Sequence, residues 1–154
     1  MVKMLQPAKL SRSAGKKIQV KTFPGAKIAD MEHYVQPTLR TKPNTIILHV
    51  GTNDIQNKKP EELAAEAKAL CQGIVKRNPT CEIAISEIVK RQDPMLNTKI
   101  HETNKLLSNL CEESNWYFID HSNINTRHLN GSGLHLNRQG TALLAKNYIN
   151  FFKT

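Results

Sequence analysis

Short apolar runs alternate with longer helical repeats along this chain. Residues 45–50 are apolar almost without interruption, which is typical of a strand buried on both faces of a sheet. Residues 18–23 alternate only mildly between apolar and polar positions, and they predict an edge strand. Two further short apolar runs predict strands at residues 81–86 and 116–119. The hydrophobic pattern therefore predicts four strands.

Helical patterns fill the intervals between these runs. Residues 60–77 start with a proline and two glutamates and end at Asn78-Pro79, which suits the dipole at one end and a proline stop at the other. Asp93-Pro94 provides a cap and a first-turn proline for a helix that reaches Cys111. The other predicted helices are residues 27–35, ending before Gln36-Pro37, residues 138–152, and a turn or two within residues 4–10.

Strands that alternate with helices and are buried on both faces predict an α/β fold with a doubly wound parallel sheet. No linker, internal repeat or low-complexity stretch divides the sequence, so we expect a single domain over residues 1–154. Ligands of such sheets bind outside the carboxyl ends of the strands. The loops to inspect are those after Phe23, Val50, Ser86 and Asp120.

Length and composition also limit the class of protein to which the chain can belong. The 154 residues weigh 17.4 kDa, which suits one domain, and no apolar run approaches the length of a membrane span. The first residues lack the apolar stretch of a secretory signal. Cys71, Cys81 and Cys111 are an odd number without Cys-x-x-Cys spacing, which argues against a disulfide scaffold or a zinc site. We therefore expect an intracellular, cytoplasmic protein.

The net charge of +9 leaves two interpretations open. Paired cations such as Lys16-Lys17 and Lys90-Arg91 are found in nucleic-acid or anionic-surface footprints, but also on ordinary solvated surfaces. We favour the solvated surface, because no run reaches five like charges and no nucleic-acid motif accompanies the pairs. Aromatic residues make up only 5%, too few for an obvious base-stacking platform. The oligomeric state is left open.

Three of the inspected loops carry groups suited to acyl chemistry. Gly25 can present a bare backbone N–H, and Asn53 offers a side-chain amide donor. Two such donors converging on one point would form an oxyanion hole, and His135 would serve as general base. Each residue alone also has an ordinary explanation, as a turn glycine, a turn or helix-capping asparagine and a surface histidine.

Together these residues resemble the SGNH (GDSL-type) hydrolase family over almost the whole chain. Gly25 matches the family's oxyanion glycine, Gly51-Thr52-Asn53-Asp54 matches its Gly-x-Asn-Asp block, and Gly133-Leu134-His135 matches part of its block with the base. The sequence around Gly25 and from Gly133 to Gly140 is similar to that of SGNH domains in invertebrate retroelement-like reading frames. The resemblance implies a three-layer α/β/α fold and hydrolysis of a small ester. It implies no metal or organic cofactor.

The sequence departs from the family at the nucleophile. It contains no Gly-Asp-Ser, which the family places directly after its first, central strand. Residues 1–5 resemble the start of the helix that follows, so we expect a truncated form without that strand. Its neighbours, residues 18–23 and 45–50, would then pair directly, leave the sheet split, or accept another occupant in the gap.

A second departure lies at Ser132, which occupies the position of the family's acid. Its hydroxyl can orient an imidazole but cannot stabilise an imidazolium, and losing that charge costs about 10⁴ in rate in a well-studied triad. Losing the nucleophile costs about 10⁶. We therefore predict little or no esterase activity, with Ser11, Ser13 and Ser86 as poor substitutes. Asp54 and Asp120 could in principle approach His135. We expect Asp54, which follows the asparagine of the motif, to organise its own loop instead.

The sequence leaves three interpretations of the function of the chain. It is a remnant of an esterase, a non-catalytic module with a basic surface for nucleic acid or anionic ligands, or an unstable relic. His121, His128 and His135 recur every seven residues, but they fall in a loop-rich segment, so no metal site is expected.

Overall fold

A computed structural model describes residues 2–154, in which six α-helices surround three strands. The elements in chain order are a short 3-10 helix at Val2–Met4, α1 at Pro7–Ala14, α2 at Ile28–Tyr34, α3 at Gln36–Arg40, β1 at Thr45–Leu48, α4 at Pro60–Arg77, β2 at Glu82–Ser86, α5 at Pro94–Ser114, β3 at Tyr117–Ile119, a 3-10 helix at Thr126–His128, and α6 at Arg138–Phe152.

The three strands form one parallel sheet in the order β1-β2-β3, with Ile46 opposite Ile83 and Ile85 opposite Phe118. Helices cover both faces, which confirms the three-layer, doubly wound α/β architecture. One face packs against α2 to α5, and the other packs against α1 and α6. Successive residues of a strand point to opposite faces, so Ile83 belongs to the first core and Ala84 to the second.

The predicted edge strand at residues 18–23 is wrong, because this segment forms no strand. The Ser11 hydroxyl instead bonds the backbone of Ile18, accepting from its N–H at 2.9 Å and donating to its carbonyl at 3.3 Å. Among residues 2–154, no strand pairs with the outer edge of β1, so the two neighbours of the expected gap do not pair directly. A mildly alternating segment without an adjacent strand has no ladder partner, and only its apolar side chains Ile18 and Val20 remain packed on the core.

The helices follow their local signals closely. α4 and α6 begin and end as predicted, and the Asp93 side chain caps α5 by accepting from the Met95 N–H at 2.9 Å. The helix predicted to stop before Gln36-Pro37 does end at Tyr34. However, the pattern missed α3, which uses Pro37 in its first turn.

At the start of the chain, Met1 lies outside the described residues. The next residues form the 3-10 turn, and α1 runs further along the sequence than expected. None of the helices within residues 2–154 is long and apolar enough to cross a membrane.

Candidate active site

The three loops that carry the motif residues meet at the carboxyl end of the sheet. The Asn53 amide donates to the Ala26 carbonyl at 2.9 Å, which joins the loop after β1 to the loop before α2. The Arg91 guanidinium donates to the Thr52 carbonyl, and the Gln92 N–H donates to the Gly133 carbonyl at 3.2 Å. The loop after β2 thus bridges the Asn53 loop and the loop that carries His135.

Gly25 and Asn53 lie together on this surface, and both are exposed. The Gly25 N–H donates to no group within the described part of the chain, and a cavity of about 380 Å³ lies beside it, lined by residues 22–26, Asp30 and Tyr34. One hydrogen of the Asn53 amide is used by Ala26, and the other remains for a ligand. Gly25 lines the cavity and Asn53 is bonded to its neighbour Ala26. Two donors on joined loops are suited to bind a carbonyl oxygen that gains negative charge.

Asp54 and Gly51 build the loop that presents Asn53. Asp54 is 1% exposed, and its Oδ2 accepts from the Ile28 N–H at 3.0 Å, so it anchors the start of α2. Its Oδ1 lies 3.4 Å from the Lys58 ammonium. Gly51 has a φ of 102°, and a Cβ on it would lie 2.8 Å from the Ile88 side chain. Turned into the core, Asp54 leaves Asn53 as the exposed polar side chain of the pair.

His135 and Ser132 share a loop but do not bond to each other. The His135 side chain is exposed and makes no hydrogen bond to any described residue, while its carbonyl accepts from the Asn130 N–H at 2.7 Å. The Ser132 hydroxyl donates to the Asn130 side chain at 2.5 Å and accepts from the Leu134 N–H at 3.3 Å. In this structure Ser132 stabilises its own turn, and it does not orient the imidazole.

Arg91 and Gln92 are site-forming residues that the sequence analysis missed. The backbone of Arg91 is held on both sides by the Asn97 amide, which accepts from its N–H at 2.7 Å and donates to its carbonyl at 2.6 Å. Its guanidinium reaches Thr52 from a partly buried position, and desolvation lowers its pKa. The signal available in the sequence was their place after β2, in one of the four loops singled out for inspection.

A largely buried polar cluster lies beneath these loops, between the sheet and α6, and it too was missed. We define it as His49, Ser86, His121, Asn147 and Tyr148. Ser86 is its centre, with its Oγ 2.8 Å from His49 Nδ1, 2.6 Å from His121 Nε2 and 2.8 Å from the Tyr148 hydroxyl. The Asn147 amide donates to His121 Nδ1 at 2.9 Å. His121 Nε2 therefore carries the proton and donates it to Ser86.

Ser86, His121 and Asn147 are bonded in the sequence of a nucleophile, a base and an orienting amide. Their geometry nevertheless does not allow catalysis. Ser86 is 0% exposed and His121 is 2% exposed, so an ester cannot reach the hydroxyl. His121 donates to Ser86 and so cannot take its proton. Desolvation lowers the pKa of His121 to about 4, and desolvation together with the nearby His121 lowers that of His49 to about 3. Burial raises the pKa of the Tyr148 phenol. The cluster is a neutral structural network at pH 7.

The three evenly spaced histidines are separated in the fold. His121 belongs to the polar cluster, His128 is buried with its Nδ1 accepting from the Asn125 N–H at 3.0 Å, and His135 is exposed. Within residues 2–154 there is no group of three or more histidine, cysteine, aspartate or glutamate side chains placed to hold a metal ion.

The chain matches the model of one protein family and is similar in fold to several solved structures. Residues 4–143 match the model of the GDSL-like Lipase/Acylhydrolase family. A putative GDSL-like lipase from Parabacteroides merdae is 17% identical, with a TM-score of 0.79 over 95% of this chain and 78% of that one. A putative lipolytic protein of the G-D-S-L family from Desulfitobacterium hafniense is 18% identical, with a TM-score of 0.77 over 94% of this chain and 86% of that one.

A third similar structure is a catalytic mutant of an acetylxylan esterase from Geobacillus stearothermophilus. It is 16% identical, with a TM-score of 0.76 over 96% of this chain and 78% of that one. At these identities the three structures establish the fold alone. No curated protein matches the chain.

Proposed function

Because the chain belongs to the GDSL-like lipase/acylhydrolase family, we propose that its three joined loops are the oxyanion and base side of an ester-hydrolysing site. The observation that carries the proposal is the hydrogen-bonded contact between the Asn53 loop and the Gly25 loop, beside an open cavity. A family match and a pair of free donors at the carboxyl edge of the sheet support the same chemistry.

Each residue has a distinct part in this proposal. The Gly25 N–H and the free hydrogen of the Asn53 amide bind the ester oxygen as it becomes an oxyanion. His135 removes the proton of the attacking hydroxyl and returns it to the leaving alcohol. Arg91 and Asp54 are positioning residues, since they fix the two ends of the loop on which Asn53 lies.

The same proposal predicts that these 154 residues hydrolyse esters poorly by themselves. The sequence contains no Gly-Asp-Ser, Ser86 is buried, and the Ser11 hydroxyl is bonded to the backbone of Ile18. The exposed His135 side chain also makes no hydrogen bond to Ser132 or to a carboxylate among the described residues. A base without its nucleophile leaves only the stabilisation by the oxyanion donors.

The test is hydrolysis of p-nitrophenyl acetate by matched proteins. One is the 154-residue chain, the second carries an added N-terminal strand ending in Gly-Asp-Ser, and the third carries the same strand ending in Gly-Asp-Ala. We expect turnover only in the second protein. There, Asn53→Ala should lower kcat by about 10²–10³-fold, and His135→Gln by at least about 10³-fold. Circular dichroism shows whether each variant is folded.

Two outcomes oppose parts of the proposal. Turnover by the 154-residue chain that is lost in His135→Ala would show that another hydroxyl serves as nucleophile, and the predicted inactivity would be wrong. Folded proteins that all fail, including the one with Gly-Asp-Ser, would overturn the assignment of these loops to ester hydrolysis.

A further inference from the structure

Charge is divided unevenly between the two faces of the sheet. Residues 2–27 hold seven lysines and arginines, residues 121–154 hold four, and neither segment contains an aspartate or glutamate. All 13 acidic residues lie between positions 30 and 120, together with the other eleven cations. The two basic segments supply α1 and α6, which pack against each other on one face. These two segments together carry the whole net positive charge of the protein, although Lys27 lies at the start of α2, on the other face.

The cations of these two segments are available to a partner. All eleven are exposed, and the ion pairs found within residues 2–154 both involve Lys58, on the opposite side of the sheet. Leu10, the one large apolar side chain of α1, is buried in the core together with Ala14. The layer therefore presents charge, and α1 keeps no apolar side for insertion into a bilayer.

An aromatic row lies beside Lys16, at the end of the sheet opposite the loops of the candidate site. Tyr117, at the start of β3, is 48% exposed. Its ring packs edge-on against that of Phe151, with 5.4 Å between the ring centres. Phe151 meets Phe152 at 5.4 Å, and the Lys16 ammonium lies 5.7 Å from the Phe152 ring centre. Lys153 follows directly in the chain and is exposed. We call this group, with Lys9 and Arg12 on α1, the basic-aromatic surface.

We propose that the basic-aromatic surface binds single-stranded nucleic acid. Cations without carboxylate partners match the charge of a phosphate backbone, and an exposed tyrosine ring beside them gives an unpaired base a face on which to stack. A duplex would use the cations but not the ring, because its bases are already stacked. A membrane would find the charge but no apolar helix face.

The proposal predicts a strong dependence on salt. With about four phosphate contacts, the slope of log K against log salt for a single strand is about −2.8. Affinity should then fall about 50-fold between about 50 mM and 200 mM salt. Because this surface is remote from Gly25 and Asn53, binding should not depend on either residue.

The experiment is fluorescence anisotropy of a labelled 15-nucleotide oligouridine with the full chain. The test variant is Lys9→Gln, Arg12→Gln and Lys16→Gln together. The matched control is Lys68→Gln, Lys76→Gln and Arg77→Gln on α4, which removes the same charge from exposed positions on the other face. We expect the first variant to lose about tenfold or more in affinity and the control to lose much less.

Tyr117 supplies the second half of the test. Tyr117→Ala should weaken binding to the single strand about fivefold or more, while Tyr117→Phe keeps the ring and the affinity. The same oligouridine annealed to oligoadenine should be unaffected by Tyr117→Ala. A urea titration shows that each variant remains folded.

Several results would overturn the proposal. They are no binding of the oligouridine at about 50 mM salt up to about 100 µM protein, equal losses in the α1 and α4 variants, or binding that ignores Tyr117. A fourth is binding only to vesicles containing phosphatidylserine, which would assign the layer to a membrane surface instead.

Discussion

Acidification should destabilise the protein through the buried polar cluster. His121 is neutral in the fold, and its Nδ1 accepts from the Asn147 amide. A proton on Nδ1 would make it a second donor facing that amide, and the hydrogen bond would be lost. Its pKa falls from 6.5 to about 4 on folding. The unfolded chain therefore takes up the proton first, and stability is complete above pH 6.5 and falls as the pH drops towards 4.

The size of the effect follows from these two values. At pH 5 the unfolded histidine is almost fully protonated and the folded one almost fully neutral, which costs about 2 kcal/mol relative to pH 8. This figure changes little if the folded pKa is somewhat lower than 4, because the folded group is already neutral at pH 5. Partly exposed His49, also with a lowered pKa, acts in the same direction. Glu87, whose pKa is raised by desolvation, acts in the opposite direction.

Urea unfolding at pH 8, 6 and 5 measures the effect, and a variant isolates it. His121→Gln should be less stable at pH 8 but should lose about 2 kcal/mol less than the parent protein between pH 8 and 5. His135→Gln, which removes an exposed histidine without a side-chain hydrogen bond, is the matched control and should retain the parent pH dependence. If His121→Gln and the parent protein lose the same stability on acidification, the reasoning about the cluster is refuted.

Two further predictions concern the loop that presents Asn53. Gly51→Ala should lower the free energy of unfolding in urea by about 1–3 kcal/mol, because the positive φ and the contact with Ile88 both oppose a Cβ. Gly73→Ala, at an exposed helix position with open space around it, should be neutral or stabilising, and equal losses in the two variants would contradict the argument. Asp54→Ala should cost about 1–3 kcal/mol by removing the acceptor of the buried Ile28 N–H. Hydrogen exchange of that amide should quicken, and unchanged protection would show that Asp54 does not anchor α2.

The candidate site was only partly predictable from the sequence. Gly25 and Asn53 were proposed because each follows an apolar run with a turn signal, and the structure bonds Asn53 to Ala26, the neighbour of Gly25. Arg91 was missed because an arginine in a loop has no local signature, and its role depends on a carbonyl 39 positions away. The hydroxyl of Ser132 could in principle orient the imidazole, but in the structure it donates to Asn130, two residues away in the same turn.

The sequence by itself determined the elements whose signals are local. The proline starts and acidic first turn of α4, the Asp93 cap of α5 and the apolar run of β1 each report interactions between near neighbours. The strand at residues 18–23 failed because a strand requires a partner, which no local pattern supplies.

Only the tertiary structure decided what distant segments do together. Nothing in the sequence links Ser86, His121 and Tyr148, but the sheet and α6 bury them in one network. The packing of α1 on α6 brings basic segments from both ends of the chain together on one face. Three of the few aromatic side chains form a row there beside Lys16. Hydrogen bonds, burial and electrostatic fields depend on distance in space, and the chain order does not contain that distance.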